Sequence, residues 1–418
     1  MKITKIFAVA VALATAFIAP VHADWQGRDD GKQNDNVQLG TRPFYLIEGL
    51  DEGKLKNRLM QCVTGPFYRT DFSIGHRGAA MQFPEHTDLS YRAAARMGAG
   101  IVECDVTFTN DGELVCRHSE CDLHTTTNIV TTELNNRCTV PWIGPGQNPA
   151  PKCCTSDLTL SEFKSLKPKM DASNPAATTA QTYLTGTANW RTDLYTGRAR
   201  VMTFNESIEL NKELGVKHTP ELKSAEHQER INAIFGNQEG YAQKFIDELV
   251  NADVNPKDVW AQSFNKDDVL YWIKNNSAFG KQAVYLDSID PTENPPIPGQ
   301  TVHELQQLKK QGVRIIATPM WALLAINDAN EVVPSAYAQD IKNAGLDIIT
   351  WSFERSDLRQ GASKGGWYYM FDPQGKAIKK DSDMYKVLDV LARKVGVIGI
   401  FSDWPATVTY YANCMGLK

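Results

Sequence analysis

The feature that most constrains this chain is an alternation of short apolar, β-branched runs with stretches that carry the 3.6-residue period of an amphipathic helix. The runs fall at 72–76, 100–107, 113–118, 216–222, 258–264, 282–286, 313–318, 346–352 and 397–402. Helical patterning occupies Asp88 to Met97, Phe204 to Leu214, Gln238 to Ala252, Lys266 to Asn275, Val302 to Gln311, Ser335 to Ala344 and Ser382 to Lys394. Parallel strands need a crossover long enough to hold a helix, so this order predicts a parallel sheet covered by helices. One run departs from it. Asp111-Gly112 separates the second run from the third, and Asp-Gly marks a two-residue hairpin loop, so the third returns antiparallel. Eight parallel strands remain, the number that closes a (β/α)8 barrel. The expected fold is α/β: a TIM barrel with a β-hairpin after its second strand. With Asp111 and Gly112 as the loop, Asn110 faces Glu113, and the ladder sets Asp105 opposite His118.

Two segments stand outside the alternation. Residues 24–70 read as a loop-rich lead-in, and residues 119–203 as a long insertion on the hairpin side, with Pro141, Pro145, Pro149 and Pro151 and one helix at Leu160 to Lys167. The barrel is expected over 71–418. Residues 1–23 have the organisation of a secretory signal peptide: Lys2 and Lys5, an apolar run from Ile6 to Pro20, and small residues before a cleavage point after Ala23. The apolar run is short for a membrane span and acids follow it at once, so the expectation is a periplasmic or secreted protein without a stable membrane anchor.

Export allows thiols to pair. Six of the eight cysteines, Cys104, Cys116, Cys121, Cys138, Cys153 and Cys154, lie close together, which predicts a disulfide-stapled insertion. Cys62 and Cys414 are candidates for a pair, because the first and last barrel strands are neighbours. Cys104, between two acids in an apolar strand, is expected to be a free buried thiol. The cluster Cys116, His118, Cys121, His124 has zinc-ligand residue types but no C-x-x-C pair, and disulfides are favoured. With 44 basic against 49 acidic residues the chain is slightly acidic, which argues against a nucleic-acid partner.

The chemistry-bearing residues gather at the C-terminal ends of the expected strands, the face on which barrel enzymes place their sites. His76-Arg77-Gly78 ends the first strand. In Val102-Glu103-Cys104-Asp105-Val106 the period of two sends Glu103 and Asp105 to one face. Two buried like charges need a cation, and oxygen ligands suit Mg²⁺ or Ca²⁺. Glu221 and Lys223 alternate onto a common face in the same way, and His118 follows the hairpin. Three carboxylates, two imidazoles and two fixed cations at one barrel mouth suit phosphoryl transfer from a diester.

His76-Arg77-Gly78, Pro84-Glu85-His86-Thr87, Glu103-x-Asp105-Val106, Thr109-x-Asp111-Gly112, His118, Glu221-x-Lys223, Gln262-Ser263-Phe264, Thr350-Trp351 and Ser402-Asp403-Trp404-Pro405 together resemble the ordered motifs of the glycerophosphodiester phosphodiesterases. The resemblance implies a (β/α)8 barrel that hydrolyses small glycerophosphodiesters to glycerol 3-phosphate and an alcohol with one divalent metal ion. It implies Glu103, Asp105 and Glu221 as metal ligands and His76 and His118 as general acid and base. Arg77 and Lys223 would hold phosphate, and Phe264 and Trp351 would wall the glycerol carbons. Three departures from the family pattern stand out: His86 replaces Asn, Ser119 replaces the Asp after His118, and Trp351-Ser352-Phe353-Glu354 replaces Trp-Thr-Val-Asn, which puts Glu354 near the far side of the substrate. Two other readings fit the same barrel: a phospholipase D-like lyase acting on lysophospholipids or sphingolipids, and an exported binding protein without turnover.

Overall fold

The computed structural model describes residues 37–418, so the expected signal segment and the start of the lead-in lie outside the described residues. The strands are β1 (Thr70–Gly75), β2 (Ala99–Phe108), β3 (Leu114–Cys116), β4 (Lys217–Leu222), β5 (Gln262–Ser263), β6 (Val284–Leu286), β7 (Ile315–Pro319), β8 (Leu324–Ile326), β9 (Val332–Pro334), β10 (Asp347–Phe353) and β11 (Gly399–Ser402). Eight of them pair in parallel in the order β1-β2-β4-β5-β6-β7-β10-β11, and β11 pairs with β1, so the barrel closes. β3 lies antiparallel outside β2, and β8 and β9 form a separate small hairpin that the sequence pattern did not indicate.

Strand alternation sorts the side chains. Ile101 belongs to the small barrel-interior cluster with Ile74, Val284, Leu286, Ile315, Ile349 and Phe401. Val102, Cys104 and Val106 pack outward into the main core beneath the helices. Glu103 and Asp105, in phase with Ile101, therefore enter the barrel near its C-terminal mouth. Outside, the helix Lys266–Asn275 buries Trp272 completely, and its ring stacks on Phe245 at 5.2 Å.

The hairpin register differs by one residue from expectation. Val106 pairs with Cys116 and Phe108 with Leu114, so Asp105 faces Arg117, whose amide donates to the Asp105 carbonyl at 2.8 Å. The loop holds three residues, Asn110-Asp111-Gly112, with Gly112 at φ +84°, the left-handed position of a three-residue hairpin. Cys104 is not a free thiol: it is bonded to Cys116 across the hairpin. Cys121–Cys154 and Cys138–Cys153 staple the insertion, and Cys62–Cys414 ties the lead-in to the last helix. The zinc-like cluster thus retains no thiolate.

The insertion has a core of its own, built from Leu123, Ile129, Val130, Leu158, Phe163, Leu166 and Tyr183. The lead-in is more regular than expected. It contains helices Arg42–Glu48 and Lys54–Met60, and Leu46, Ile47 and Leu59 join the main core.

Candidate active site

All nine residues singled out in the sequence line one cavity of about 230 Å³ at the barrel mouth: His76, Arg77, Glu103, Asp105, His118, Glu221, Lys223, Phe264 and Trp351. Gln262, Leu286, Tyr368 and Phe401 complete its wall. A larger groove of about 1050 Å³, lined by Arg92, Lys164, Arg200 and Glu213 among others, contains none of these residues and lacks their convergence of buried acids and bases.

The turn after β1 explains why the first motif is built as it is. A Cβ at Gly75 would sit 2.9 Å from the Ala94 side chain, and one at Gly78, which has φ +92°, would sit 2.3 Å from Ser90 Oγ. Only glycine fits both positions. Arg77 between them is itself left-handed at φ 55°, which turns its amide to donate to Glu103 Oε2 at 3.0 Å while its guanidinium reaches Glu85 at 2.8 Å. Thr87 caps the helix Asp88–Arg96 by accepting from the Ser90 amide, and its hydroxyl donates to the Pro84 carbonyl at 2.7 Å. That capped turn fixes Glu85 and His86 beside the cavity.

Glu103, Asp105 and Glu221 are all buried, and each offers a carboxylate oxygen within 4.8 Å of the others. Gln262 donates to Glu103 Oε1 at 2.9 Å, and Lys223 pairs with Glu221 at 2.6 Å. Asp105 Oδ2 accepts from His86 at 2.8 Å, whereas Asp105 Oδ1 is buried without a hydrogen-bond partner. Burial, then repulsion from Asp105 and Glu221, raises the Glu103 carboxyl well above its ordinary range. Burial pushes Glu221 to about 8, with Lys223 opposing and Asp105 adding to the rise. Against the cost of burial, Lys223 and His86 hold the Asp105 carboxyl well below its ordinary range. One ionised carboxylate with a buried oxygen left over, beside two that resist ionisation, fits a hard divalent cation.

His76 is held from behind. Its Nδ1 lies 3.0 Å from Asp403 Oδ1 and 2.6 Å from Ser352 Oγ. Arg355 and His76 overcome burial and keep Asp403 far below the usual carboxylate range, so it can only accept, and Nδ1 carries the proton. Nε2 is then free toward the cavity, 3.8 Å from Glu103. Ser352 does not form a nucleophile–histidine pair aimed at substrate: it is fully buried, outside the cavity wall, and shares the Nδ1 side with Asp403. His118 is half-buried, and burial together with Arg77 and Lys223 holds its pKa well below the ordinary value. It is therefore neutral at pH 7.

The apolar side of the cavity is aromatic. Phe264 meets Trp351 edge-on at 6.0 Å, Trp351 stacks on Trp367 at 5.7 Å, and Lys223 Nζ lies 5.6 Å over the Phe264 ring.

With this geometry in place, comparison with known proteins is decisive. The model of the glycerophosphoryl diester phosphodiesterase family matches residues 76–407. The chain belongs to that family. An extracellular protein of Arthroderma benhamiae is 42% identical over 250 residues, which is 59% of this chain and the whole of that relative. A glycerophosphodiester phosphodiesterase of Arabidopsis thaliana is 23% identical over 396 residues, 90% of this chain and 93% of the relative. Among solved structures, a Silicibacter pomeroyi protein assigned to the glycerophosphoryl diester phosphodiesterases has a TM-score of 0.54 at 15% identity. It covers 84% of this chain and 95% of its own, and it shares the barrel.

The three departures from the pattern of the glycerophosphodiester phosphodiesterases now have locations. His86 sits at φ 55°, a conformation that Asn adopts easily, and here the larger side chain orients Asp105. Ser119 stands at the start of the insertion, where its amide donates to Asp122 Oδ2 at 3.1 Å. Glu354 does not face the substrate cavity. It is fully buried and paired with Arg42 of the lead-in at 2.5 Å. Three partners went unread in the sequence: Arg355, Ser352 and Tyr368. Ser352 stands in a stretch compared with the family motif but was given no role, and Arg355 and Tyr368 follow β10 beyond the last matching residue of that motif.

Proposed function

We propose that this phosphodiesterase hydrolyses small glycerophosphodiesters to glycerol 3-phosphate and an alcohol, using His76 and His118 for proton transfer. Glu103, Asp105 and Glu221 would hold one divalent cation, Ca²⁺ or Mg²⁺. Bound there, the cation neutralises phosphate charge and acidifies a nearby hydroxyl. Arg77 and Lys223 add fixed positive charge for the phosphate oxygens. The convergence of two imidazoles with these three carboxyl groups and two fixed cations in one cavity carries the reading.

The two histidines are not equivalent. His118, which has no carboxylate behind it, accepts the proton of the substrate's glycerol hydroxyl as that oxygen attacks phosphorus. His76, backed by Asp403, is better able to carry a proton on Nε2 and gives it to the departing alcohol. Water then opens the cyclic phosphate with the two roles exchanged. Phe264 and Trp351 give the glycerol carbons an apolar wall. The four disulfides and the extracellular relative support an exported enzyme, consistent with a signal peptide cleaved after Ala23.

Parallel assays with glycerophosphocholine and lysophosphatidylcholine, products followed by ³¹P NMR, test the reading. The expected outcome is glycerol 3-phosphate from the first substrate. Exclusive turnover of the second, ending at a persistent cyclic phosphate, would replace it with the lyase reading.

A further inference from the structure

The disulfide-stapled insertion does more than cover the barrel, because one of its acids reaches the support of His76. Arg355 spreads its guanidinium over three acids. Nε and Nη2 donate to Asp403 at 2.9–3.2 Å, Nη2 also lies 3.2 Å from Glu85, and Nη1 donates to Asp171 Oδ2 at 3.2 Å. Asp171 belongs to the insertion, and its other oxygen accepts from Arg191 at 2.5 Å. Arg191 in turn donates to the Ala80 carbonyl at 2.6 Å, just beyond the His76 turn. The insertion is therefore bound to the turn at two points, and one of them runs Asp171–Arg355–Asp403–His76.

We infer that Asp171 is a positioning residue for the reaction, acting from the insertion through Arg355 and Asp403 to fix the imidazole of His76. Arg355 has a planar fork of donors, so the acids around it decide which edge faces Asp403. Without Asp171, Nη1 has no acceptor, and nothing pins the far edge of the guanidinium plane from the insertion side. The guanidinium can then tilt, its paired hydrogen bonds to Asp403 lose their alignment, and the ring of His76 is held less firmly in its tautomer and orientation. Asp171 does not line the cavity, so substrate binding is untouched. The effect belongs in kcat.

This inference rests on the hydrolytic reading of His76, and the test separates the two. Asp171→Ala, Asp403→Asn and the double variant are compared with wild type for kcat, KM and Tm on glycerophosphocholine. Asp171→Ala should lower kcat by about tenfold with KM and Tm nearly unchanged. In the Asp403→Asn background the same change should add less than about twofold, because the link it acts through is already broken. Unchanged kcat, a rise in KM as the main effect, or independent multiplication of the two losses would overturn it. Imidazole ¹⁵N shifts of His76 read the link without substrate. Loss of the Nδ1–H tautomer signature in Asp171→Ala is expected, and a wild-type spectrum in that variant refutes the inference whether or not the enzyme turns over. Absence of turnover by wild type would instead count against the hydrolytic reading alone.

Discussion

Binding of a divalent cation by Glu103, Asp105 and Glu221 should strengthen steeply between pH 6 and pH 8, because the ion has to displace a proton. Burial sets the Glu221 carboxyl near 8, against the partial relief from Lys223. If the cation needs the ionised form, apparent affinity follows the ionised fraction, about 1% at pH 6 and about half at pH 8. That is a gain of about 50-fold, or about 2.3 kcal/mol of added stabilisation at saturating cation. Glu103, also raised, steepens the slope further. The sign in the cation-free protein is opposite. A carboxyl raised by folding contributes its full stability below the ordinary value of 4.5 and loses it as pH climbs through about 8. Cation-free protein should therefore weaken over the interval in which cation binding improves. Isothermal titration with Ca²⁺ and Mg²⁺ at pH 6, 7 and 8, together with thermal unfolding with and without the ion, measures both trends. In Glu221→Gln the pH slope should flatten and affinity should drop. A wild-type affinity flat with pH, or an unaltered slope in the variant, would refute the argument that Glu221 and Glu103 give up protons to a cation held by these three acids.

Two further outcomes follow from single contacts. His86→Ala removes the donor that orients Asp105, and cation affinity should fall by 10- to 100-fold, on the order usual for groups behind a metal ligand, while the fold survives; an affinity within twofold of wild type would assign His86 to packing. Trp272→Ala deletes a fully buried ring stacked on Phe245 and its indole hydrogen bond to the Ala242 carbonyl. Denaturant unfolding should show a loss of about 4 kcal/mol with the remaining folded enzyme fully active, and a loss below about 1 kcal/mol would mean that the site refills.

The barrel was legible because its signals are local. Period-two strands such as 100–107 and capped helices such as Phe204–Leu214, where Thr203 and Glu206 form a reciprocal cap, declare themselves within a dozen residues. The helix Pro405–Met415 did not, since it is buried almost all round and leaves no polar face to set a period. Asp111-Gly112 identified the hairpin but not its register: Gly112 alone takes the left-handed position, and a three-residue loop shifts every pair by one. That shift also moved His118 off Asp105, although the cavity still receives both. Cys104 was misread because alternation says which face a thiol occupies and nothing of what lies across the hairpin. In the site, residues two apart on one strand were readable as pairs, Glu103 with Asp105 and Glu221 with Lys223. The arrangement behind them was not. Arg355, Asp403 and Asp171 are brought together from three distant stretches of chain, and only the closed barrel and the folded insertion make them neighbours.

The most direct test of the central claim uses the two histidines and two leaving groups. His76→Ala and His118→Ala should each lower glycerol 3-phosphate release from glycerophosphocholine by at least about 100-fold with Tm little changed. On a nitrophenyl diester, whose leaving group needs no proton, His76→Ala should recover most of its rate and His118→Ala should not. Full activity of either variant on glycerophosphocholine, or recovery by His118→Ala instead of His76→Ala, would contradict the assigned roles.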